Sequence, residues 1–132
     1  MTDLTVADTE KPPDFEFLET FSEPLLEMKA EEIVLLDLRG LADFTDYFVI
    51  CTGTSDVQVK AIADAVVERG KADGQRPLHV EGYDQRKWIL IDFVDIVVHV
   101  FQPDARQFYG LERLWGDAPA HEIADPEVPE TP

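Results

Sequence analysis

The chain has 132 residues, 45% of them hydrophobic, which is enough for one domain with a single modest core. Its formal net charge of −17, with only 11 Lys and Arg residues, disfavours binding to a phosphate backbone and so disfavours direct contact with nucleic acid. A single cysteine rules out an intramolecular disulfide, and no apolar run is long enough to span a membrane, so we expect a cytoplasmic protein.

The acidic excess is concentrated at the two ends of the chain. Residues 1–30 and 117–132 together carry more than half of it, so the segment between them is only moderately acidic. Such a charge suits a basic protein partner, because complementary charge steers two proteins together. The other reading, in which acidity serves only solubility, stays equally open.

Two tails are predicted on either side of one domain. Residues 1–13 are polar and end in two prolines, and residues 119–132 combine four prolines with acidic side chains. Neither segment has enough large apolar groups to offset the entropy of ordering, so both are predicted to be disordered. The domain is therefore placed at residues 14–118.

The first predicted element is a helix that begins at Asp14. Apolar residues recur at three- and four-residue intervals and describe one helical face: Phe17, Leu18, Phe21, Leu25 and Met28. Pro24 falls inside this pattern, and a proline removes a backbone donor and clashes with the preceding turn. We therefore expect a kink or a break near Glu23.

Two strands and a helix follow. Residues 33–38 and 47–51 are rich in branched and aromatic side chains, which predicts strands. Ser55 stands three residues before Gln58, the spacing of a capping box, and so begins a helix that Gly70 or Gly74 can end.

The remaining elements are three strands and a last helix. Strands are predicted over residues 77–80, 88–92 and 95–101, and a helix from residue 104 through Trp115, opened by Pro103. Strand pairs separated by a helix indicate the α/β class, with a mixed five-stranded sheet flanked by helices in an α/β sandwich.

Strand alternation divides the side chains of residues 88–93 between two faces. Ile89, Ile91 and Phe93 share one face, which is apolar and predicted to be buried. Trp88 and Asp92 lie on the other, with Leu90 between them. An exposed tryptophan is a strong anchor for a protein partner, so this second face is the candidate contact surface, although Trp88 could equally close the core.

In the last helix, two stripes are predicted. Phe108, Leu111, Glu112 and Trp115 fall on one stripe, which should face the core. Arg106, Tyr109 and Arg113 fall at its boundary, and tyrosine and arginine are enriched at interfaces. Tyr109 and Arg106 are therefore expected to be available to a partner.

A catalytic function is the alternative interpretation. Asp37, Asp92 and Asp95 lie at strand ends, along with Asp46, where a magnesium-dependent phosphoryl transferase would place its ligands. Yet no pair of acids one residue apart stands on a strand after Gly53, and neither His79 nor His99 has a Cys or His partner at ligand spacing. Turn formation and capping explain these acids better, so no catalytic residue, metal or cofactor is predicted. His99 is predicted to be a core or rim histidine, and Cys51 to be buried and inert.

Several ordered motifs resemble the ribosomal silencing factor family, also called Iojap-like. The match extends over about residues 15–118, and its motifs are KAEEI at 29–33, LDL at 36–38, TDYFVICTGTS at 45–55, IAD at 62–64, EG at 81–82, WILID at 88–92, DIVVHVF at 95–101, Arg106, and FYGLERLW at 108–115.

The resemblance implies both a fold and a function. Members look like a mixed-sheet relative of the nucleotidyltransferase fold, and they bind the large ribosomal subunit through large-subunit ribosomal protein fourteen. A bound factor blocks the small subunit and lowers translation when nutrients are scarce, without catalysis or cofactor. Carried over by position, the expected partner-binding residues are Trp88, Asp92, Arg106, Tyr109, Glu112 and Trp115.

Two points stay open beside the resemblance. A magnesium-dependent nucleotidyltransferase-like enzyme is the alternative function, and a homodimer that pairs through the exposed strand at 88–92 is an alternative assembly. The family pattern also has glycine after the aromatic residue that follows Asp92, whereas this chain has Val94. A β-branched residue resists positive φ, so we expect a turn of another type or a longer turn there.

Overall fold

The computed structural model describes residues 15–124, so the predicted N-terminal tail lies outside the described part of the chain. The elements, in chain order, are α1 (Phe15–Glu27), β1 (Glu31–Asp37), β2 (Tyr47–Thr52), α2 (Asp56–Ala72), β3 (His79–Glu81), β4 (Trp88–Asp92), β5 (Ile96–Phe101), α3 (Pro103–Tyr109), α4 (Leu111–Leu114) and β6 (Ala120–Ile123).

The strands form one mixed sheet in the order β3-β4-β5-β2-β1-β6. The pair β2 and β5 is parallel and the other four pairs are antiparallel. The predicted α/β class with a mixed sheet is thus confirmed. Strand β4 lies between two partners, so the suggestion that it pairs with itself in a second copy is wrong.

The two faces of the sheet are covered unequally. On one face, α1 and α2 pack over the larger core cluster, which includes Phe21, Leu25, Ile62, Ile89 and Ile91. On the other face, a smaller cluster around Phe48 and Phe101 is covered by the short helices α3 and α4, the turn after them and Ala42 of the β1–β2 connection. The predicted burial of Ile89, Ile91 and Phe93 is confirmed.

Helix α1 continues through Pro24, so of the two outcomes predicted near Glu23, a kink or a break, the break does not occur. Phe21 and Leu25, on either side of the proline, are fully buried against the sheet. The Met28 amide donates to the Pro24 carbonyl at 3.0 Å and extends the helical bonding past the proline. Burial of this apolar face compensates for the one backbone bond that proline removes.

Helix α2 begins as its capping pattern predicts. The Ser55 hydroxyl accepts from the Gln58 amide at 3.1 Å, and the Gln58 side chain in turn accepts from the Thr54 amide at 2.7 Å. The helix ends at Ala72, and Gly74 follows with a φ of 81°, the left-handed conformation that glycine adopts without strain. Of the two glycines considered, Gly74 is therefore the stop signal.

The sheet has six strands, so the prediction of five is one short. Strand β6 lies within residues 119–132, which were predicted to be a disordered tail, and it pairs antiparallel with β1. The Asp37 amide also donates to the Pro119 carbonyl at 2.9 Å. Backbone pairing with the free edge of β1 orders this segment, and Ile123 also packs against the larger core cluster.

The last helix is divided by Gly110, which corrects the prediction of one helix through Trp115. Gly110 has φ 58° and ψ 45°, so it ends α3 and begins α4 in a new direction. The side chains on either side no longer share one helical phase. Phe108, predicted to face the core, is instead 78% exposed, whereas Leu111 packs against the smaller cluster as predicted.

The turn between β4 and β5 has a positive φ at Val94. This differs from the expectation that a β-branched residue at this position would lead to a turn of another type or a longer turn. Val94 has a φ of 78°, and the Asp95 amide donates to the Phe93 carbonyl at 3.0 Å across it, which describes a tight γ-turn. The Asp92 carboxylate accepts from the Val94 amide at 2.7 Å. Valine is therefore held in a conformation that costs free energy.

Candidate partner-binding surface

Trp88 lies at the start of β4 on the thinly covered face of the sheet and is half-buried. Its indole stacks on Phe101 with ring centroids 4.9 Å apart and contacts Tyr109 at 4.6 Å. Its Nε1–H donates to Nδ1 of His99 at 3.0 Å. Trp88 thus packs on the core through Phe101 and stays partly accessible, and its role as a surface anchor stays a prediction.

An open groove of about 500 Å³ runs beside this ring, between the β3–β4 connection and α3. Its apolar wall comes from Trp88, Tyr109, Phe108 and Ala105, while Lys87 and Asp104 contribute charge to the lining. Tyr109 is 51% exposed, and its ring meets that of Phe108 edge to face at 5.0 Å. Three adjacent aromatic rings on an otherwise charged protein form the kind of patch that protein partners use.

Phe108 is the residue of this groove that sequence reasoning placed wrongly. Its exposure follows from the end of α3 at Gly110, because the chain turns before Phe108 can join the buried stripe. The signal was present in the sequence as the glycine itself, two residues after Phe108.

Arg106, a predicted partner-binding residue, is engaged within the chain. Its guanidinium donates to the Glu32 carbonyl at 2.7 Å and the Thr52 hydroxyl at 2.8 Å, and it forms an ion pair with Glu112 at 2.8 Å. The side chain is only 11% exposed. Arg106 thus connects α3 to β1 and β2 through hydrogen bonds, and its ion pair with Glu112 connects α3 to α4.

Trp115 belongs to a second aromatic group on the same face. It packs against the smaller core cluster, with its ring 6.2 Å from Phe48 and 6.0 Å from Phe44. Phe44 is exposed, and so is Leu114 next to Trp115 in the chain. Of the six predicted contact residues, Trp88 and Tyr109 meet directly, Arg106 and Glu112 pair with each other, and Trp115 is placed with this second group.

Asp92, the remaining predicted contact residue, accepts the Val94 amide, and its other oxygen is 3.8 Å from Nδ1 of His79. Asp37, named in the catalytic alternative, is bound by the Arg39 guanidinium at 2.9 and 2.7 Å. These contacts outweigh burial and hold the pKa of Asp37 below its usual value.

Of the carboxylates of the catalytic alternative, Asp46 and Asp95 are neighbours, with the Asp46 amide donating to the Asp95 carbonyl at 3.0 Å, whereas Asp37 and Asp92 lie far apart. Asp37 and Asp92 lie at the same end of the sheet, but β5 and β2 separate their strands, a distance of roughly 14 Å at the usual strand spacing. Within residues 15–124, no group of three or more His, Cys, Asp or Glu side chains is arranged to hold a metal ion. No helix in that range has the length and apolar character to cross a membrane.

Cys51 and His99 are both in the interior, as the sequence indicates. Cys51 is completely buried, and burial raises the pKa of its thiol to about 12. A thiol that stays protonated at neutral pH is a poor nucleophile, so Cys51 is a core residue. His99 lies at the centre of the aromatic face, next to Phe48 and Trp88.

The sheet topology and the exposed aromatic groove define a small α/β domain with a candidate contact surface for a protein. A family model described as "Ribosomal silencing factor during starvation" matches residues 10–132. The chain therefore belongs to the ribosomal silencing factor family, whose members are regulatory proteins, and the predicted family resemblance is confirmed.

Named relatives agree with this assignment. The chain is 45% identical to ribosomal silencing factor RsfS of Bacillus subtilis over 95 residues, which cover 72% of this chain and 80% of the relative. It is 41% identical to the Haemophilus influenzae protein of the same name, covering 74% of this chain and 96% of that one. A mouse relative, 33% identical, is called mitochondrial assembly of ribosomal large subunit protein 1, and the match covers 69% of this chain and 41% of that protein.

Solved structures share the fold. A crystal structure from Chromobacterium violaceum superposes with a TM-score of 0.76 at 34% identity, covering 80% of this chain and 88% of that one. A crystal structure from Bacillus halodurans gives 0.74 at 39% identity, covering 83% of this chain and all of the other.

Proposed function

We propose that this protein binds the large ribosomal subunit through large-subunit ribosomal protein fourteen and blocks the docking of the small subunit, so that translation falls when nutrients are limited. The observation that carries the proposal is the groove beside Trp88, where Tyr109 and Phe108 add exposed aromatic surface. Residues of this type supply most of the binding energy in protein interfaces.

The charge of the chain supports a protein partner over RNA. A formal charge of −17 repels ribosomal RNA but attracts the basic proteins that lie on a ribosomal surface. The name of the mouse relative refers to the large ribosomal subunit, which favours that subunit over the small one. Long-range attraction would speed the encounter, and the aromatic groove would then determine how long the complex lasts.

The proposed mechanism is steric and needs no chemistry from the protein. A domain of 14.9 kDa seated on the joining face would occupy space that the small subunit requires. Two of the carboxylates that an enzyme could use are engaged within the chain, Asp37 by Arg39 and Asp92 by the Val94 amide. Repression would then depend only on the lifetime of the complex and on the abundance of the factor.

Gradient sedimentation with matched variants tests the proposal. The wild-type protein should travel with free large subunits and be absent from joined ribosomes. Phe108→Ala removes an exposed ring with little effect on folding, and Trp88→Ala removes the central ring. Each should weaken binding to isolated large subunits by about 30-fold, the effect of losing an interface hot spot.

Val57→Ala is the control, because Val57 is an exposed apolar residue on α2, across the sheet from the groove. It should bind as the wild type does. Co-migration of the protein with joined ribosomes would refute the silencing mechanism. Unchanged binding by both groove variants would refute the proposed surface.

Self-association through the same surface is a separate proposal about assembly. Since β4 has no free edge, a dimer would have to bury the side chains around Trp88 rather than extend the sheet. Such a dimer would compete with ribosome binding. Sedimentation equilibrium of wild type and Phe108→Ala distinguishes the cases, because only a dimer through this surface dissociates on that change.

A further inference from the structure

A polar side chain lies in the middle of the aromatic sheet face. His99 is on β5 and only 2% exposed, between the rings of Phe48, 4.4 Å away, and Trp88, 5.8 Å away. Its Nδ1 accepts the hydrogen bond from the Trp88 indole. Its Nε2 is buried and has no hydrogen-bond partner within residues 15–124.

The protonation state of His99 follows from these contacts. Burial lowers the pKa of the imidazole from 6.5 to about 3, so the ring is neutral throughout the physiological range. Because Nδ1 accepts a hydrogen bond, the single ring proton must be on Nε2. His99 is thus a permanent acceptor toward Trp88.

This arrangement is unfavourable for stability alone. A buried N–H without a partner loses its hydrogen bonds to water and gains none in return. An apolar side chain at position 99 would avoid that loss. The one side-chain hydrogen bond that His99 makes within the described residues goes to Trp88, so what the imidazole provides is control of that indole.

Stacking by itself leaves the orientation of Trp88 incompletely defined. Contact with Phe101, at an interplanar angle of 27°, fixes the plane of the indole. The indole could still flip about its Cβ–Cγ bond, which keeps the same plane but exchanges the edges of the ring. The bond from Nε1 to His99 selects one of these orientations. The edge of the indole that lines the groove beside Tyr109 is thereby determined.

We propose that His99 is a positioning residue for the contact surface, which holds the Trp88 indole in the one orientation that the ribosomal partner meets. The inference rests on the proposed function, since it assigns a role within the same surface. Preorganisation of this kind strengthens binding because the partner need not select one of several ring orientations. The histidine would then be retained at some expense of stability.

Two isosteric variants separate positioning from structural support. His99→Asn retains an acceptor oxygen near the place of Nδ1, whereas His99→Leu has the same shape and no acceptor. Both leave the same space where the ring was. For the stability of the fold, the expected order of the two variants is the reverse of that for binding. Asn destabilises more because it buries an additional amide, whereas Leu buries only apolar atoms.

Each variant is measured for binding to isolated large ribosomal subunits and for its urea unfolding midpoint. We expect His99→Asn to bind within about twofold of the wild type and His99→Leu about tenfold more weakly, the effect of one lost hydrogen bond. We expect the midpoints in the reverse order, with His99→Leu the more stable variant. A structural role alone would give both measurements the same order.

A spectroscopic measurement reports on the hydrogen bond without the ribosome. The two indole N–H resonances are assigned with Trp88→Phe and Trp115→Phe, the chain having two tryptophans. The Trp88 resonance should exchange slowly with water in the wild type and in His99→Asn, and rapidly in His99→Leu.

Wild-type affinity in His99→Leu, or slow indole exchange in that variant, would overturn the inference while leaving the proposed function intact. Failure of the wild-type protein to bind large subunits would instead refute the proposed function, and the positioning role with it.

Discussion

Val94→Gly should stabilise the protein, although it removes a side chain. Val94 is 54% exposed, so its deletion sacrifices little burial, while its φ of 78° lies where a Cβ is unfavourable. Relief of that conformation is worth about 1–2 kcal/mol, and the greater freedom of glycine in the unfolded chain takes back about 0.5–1 kcal/mol. The expected net gain is about 1 kcal/mol, or about 4 °C in the melting temperature.

Urea unfolding followed by tryptophan fluorescence measures this gain. Val57→Gly is the matched control, because Val57 is similarly exposed but lies in the first turn of α2. There glycine should lower the free energy of unfolding by about 0.3–0.5 kcal/mol, the difference between the helix propensities of valine and glycine. If Val94→Gly also destabilises the protein, then the turn does not strain Val94 and the reasoning from φ is wrong.

Two further predictions concern Arg106 and His99. Arg106→Lys should lower the free energy of unfolding by about 2 kcal/mol, because one ammonium cannot replace the bonds to Glu32, Thr52 and Glu112. The control is Arg113→Lys, at an exposed arginine, which should change the free energy of unfolding by less than about 0.5 kcal/mol in the same urea titration. Because burial depresses the pKa of His99 from 6.5 to about 3, only the unfolded chain takes up this proton between those values, so the protein loses no stability through His99 above about pH 6.5 and loses it progressively as pH falls toward 3. Between about pH 7 and pH 5 the wild type should therefore lose about 2 kcal/mol more than His99→Leu, and equal losses would show that His99 takes up a proton while folded.

The parts of the fold that sequence predicts well are those determined by local chemistry. Strand β4 is recovered with its exact bounds, because the alternation from Trp88 to Asp92 leaves only one assignment of its two faces. The start of α2 follows from the bonds of the Gln58 amide to Ser55 and of the Thr54 amide to the Gln58 side chain, which need only residues within one turn.

The features that sequence does not reveal depend on single dihedral angles or on distant partners. One left-handed residue, Gly110, changes the direction of the chain. The prediction that Phe108 faces the core assumed one continuous helix through Trp115, and that helix ends before Gly110. Arg106 meets Glu32, which is 74 positions away, and no local pattern records that contact. Strand β6 is ordered by the backbone edge of β1, which its own side chains do not show.

The unequal cover of the sheet has a consequence for local opening. Helices of 13 and 17 residues lie over one face, whereas helices of 7 and 4 residues lie over the other. Short helices with few buried side chains open at low free energy, so amide hydrogens in α3 and α4 should exchange long before those in α2. A partner seated on that face would act as the missing outer layer, and slowed exchange in α3 and α4 would mark its footprint.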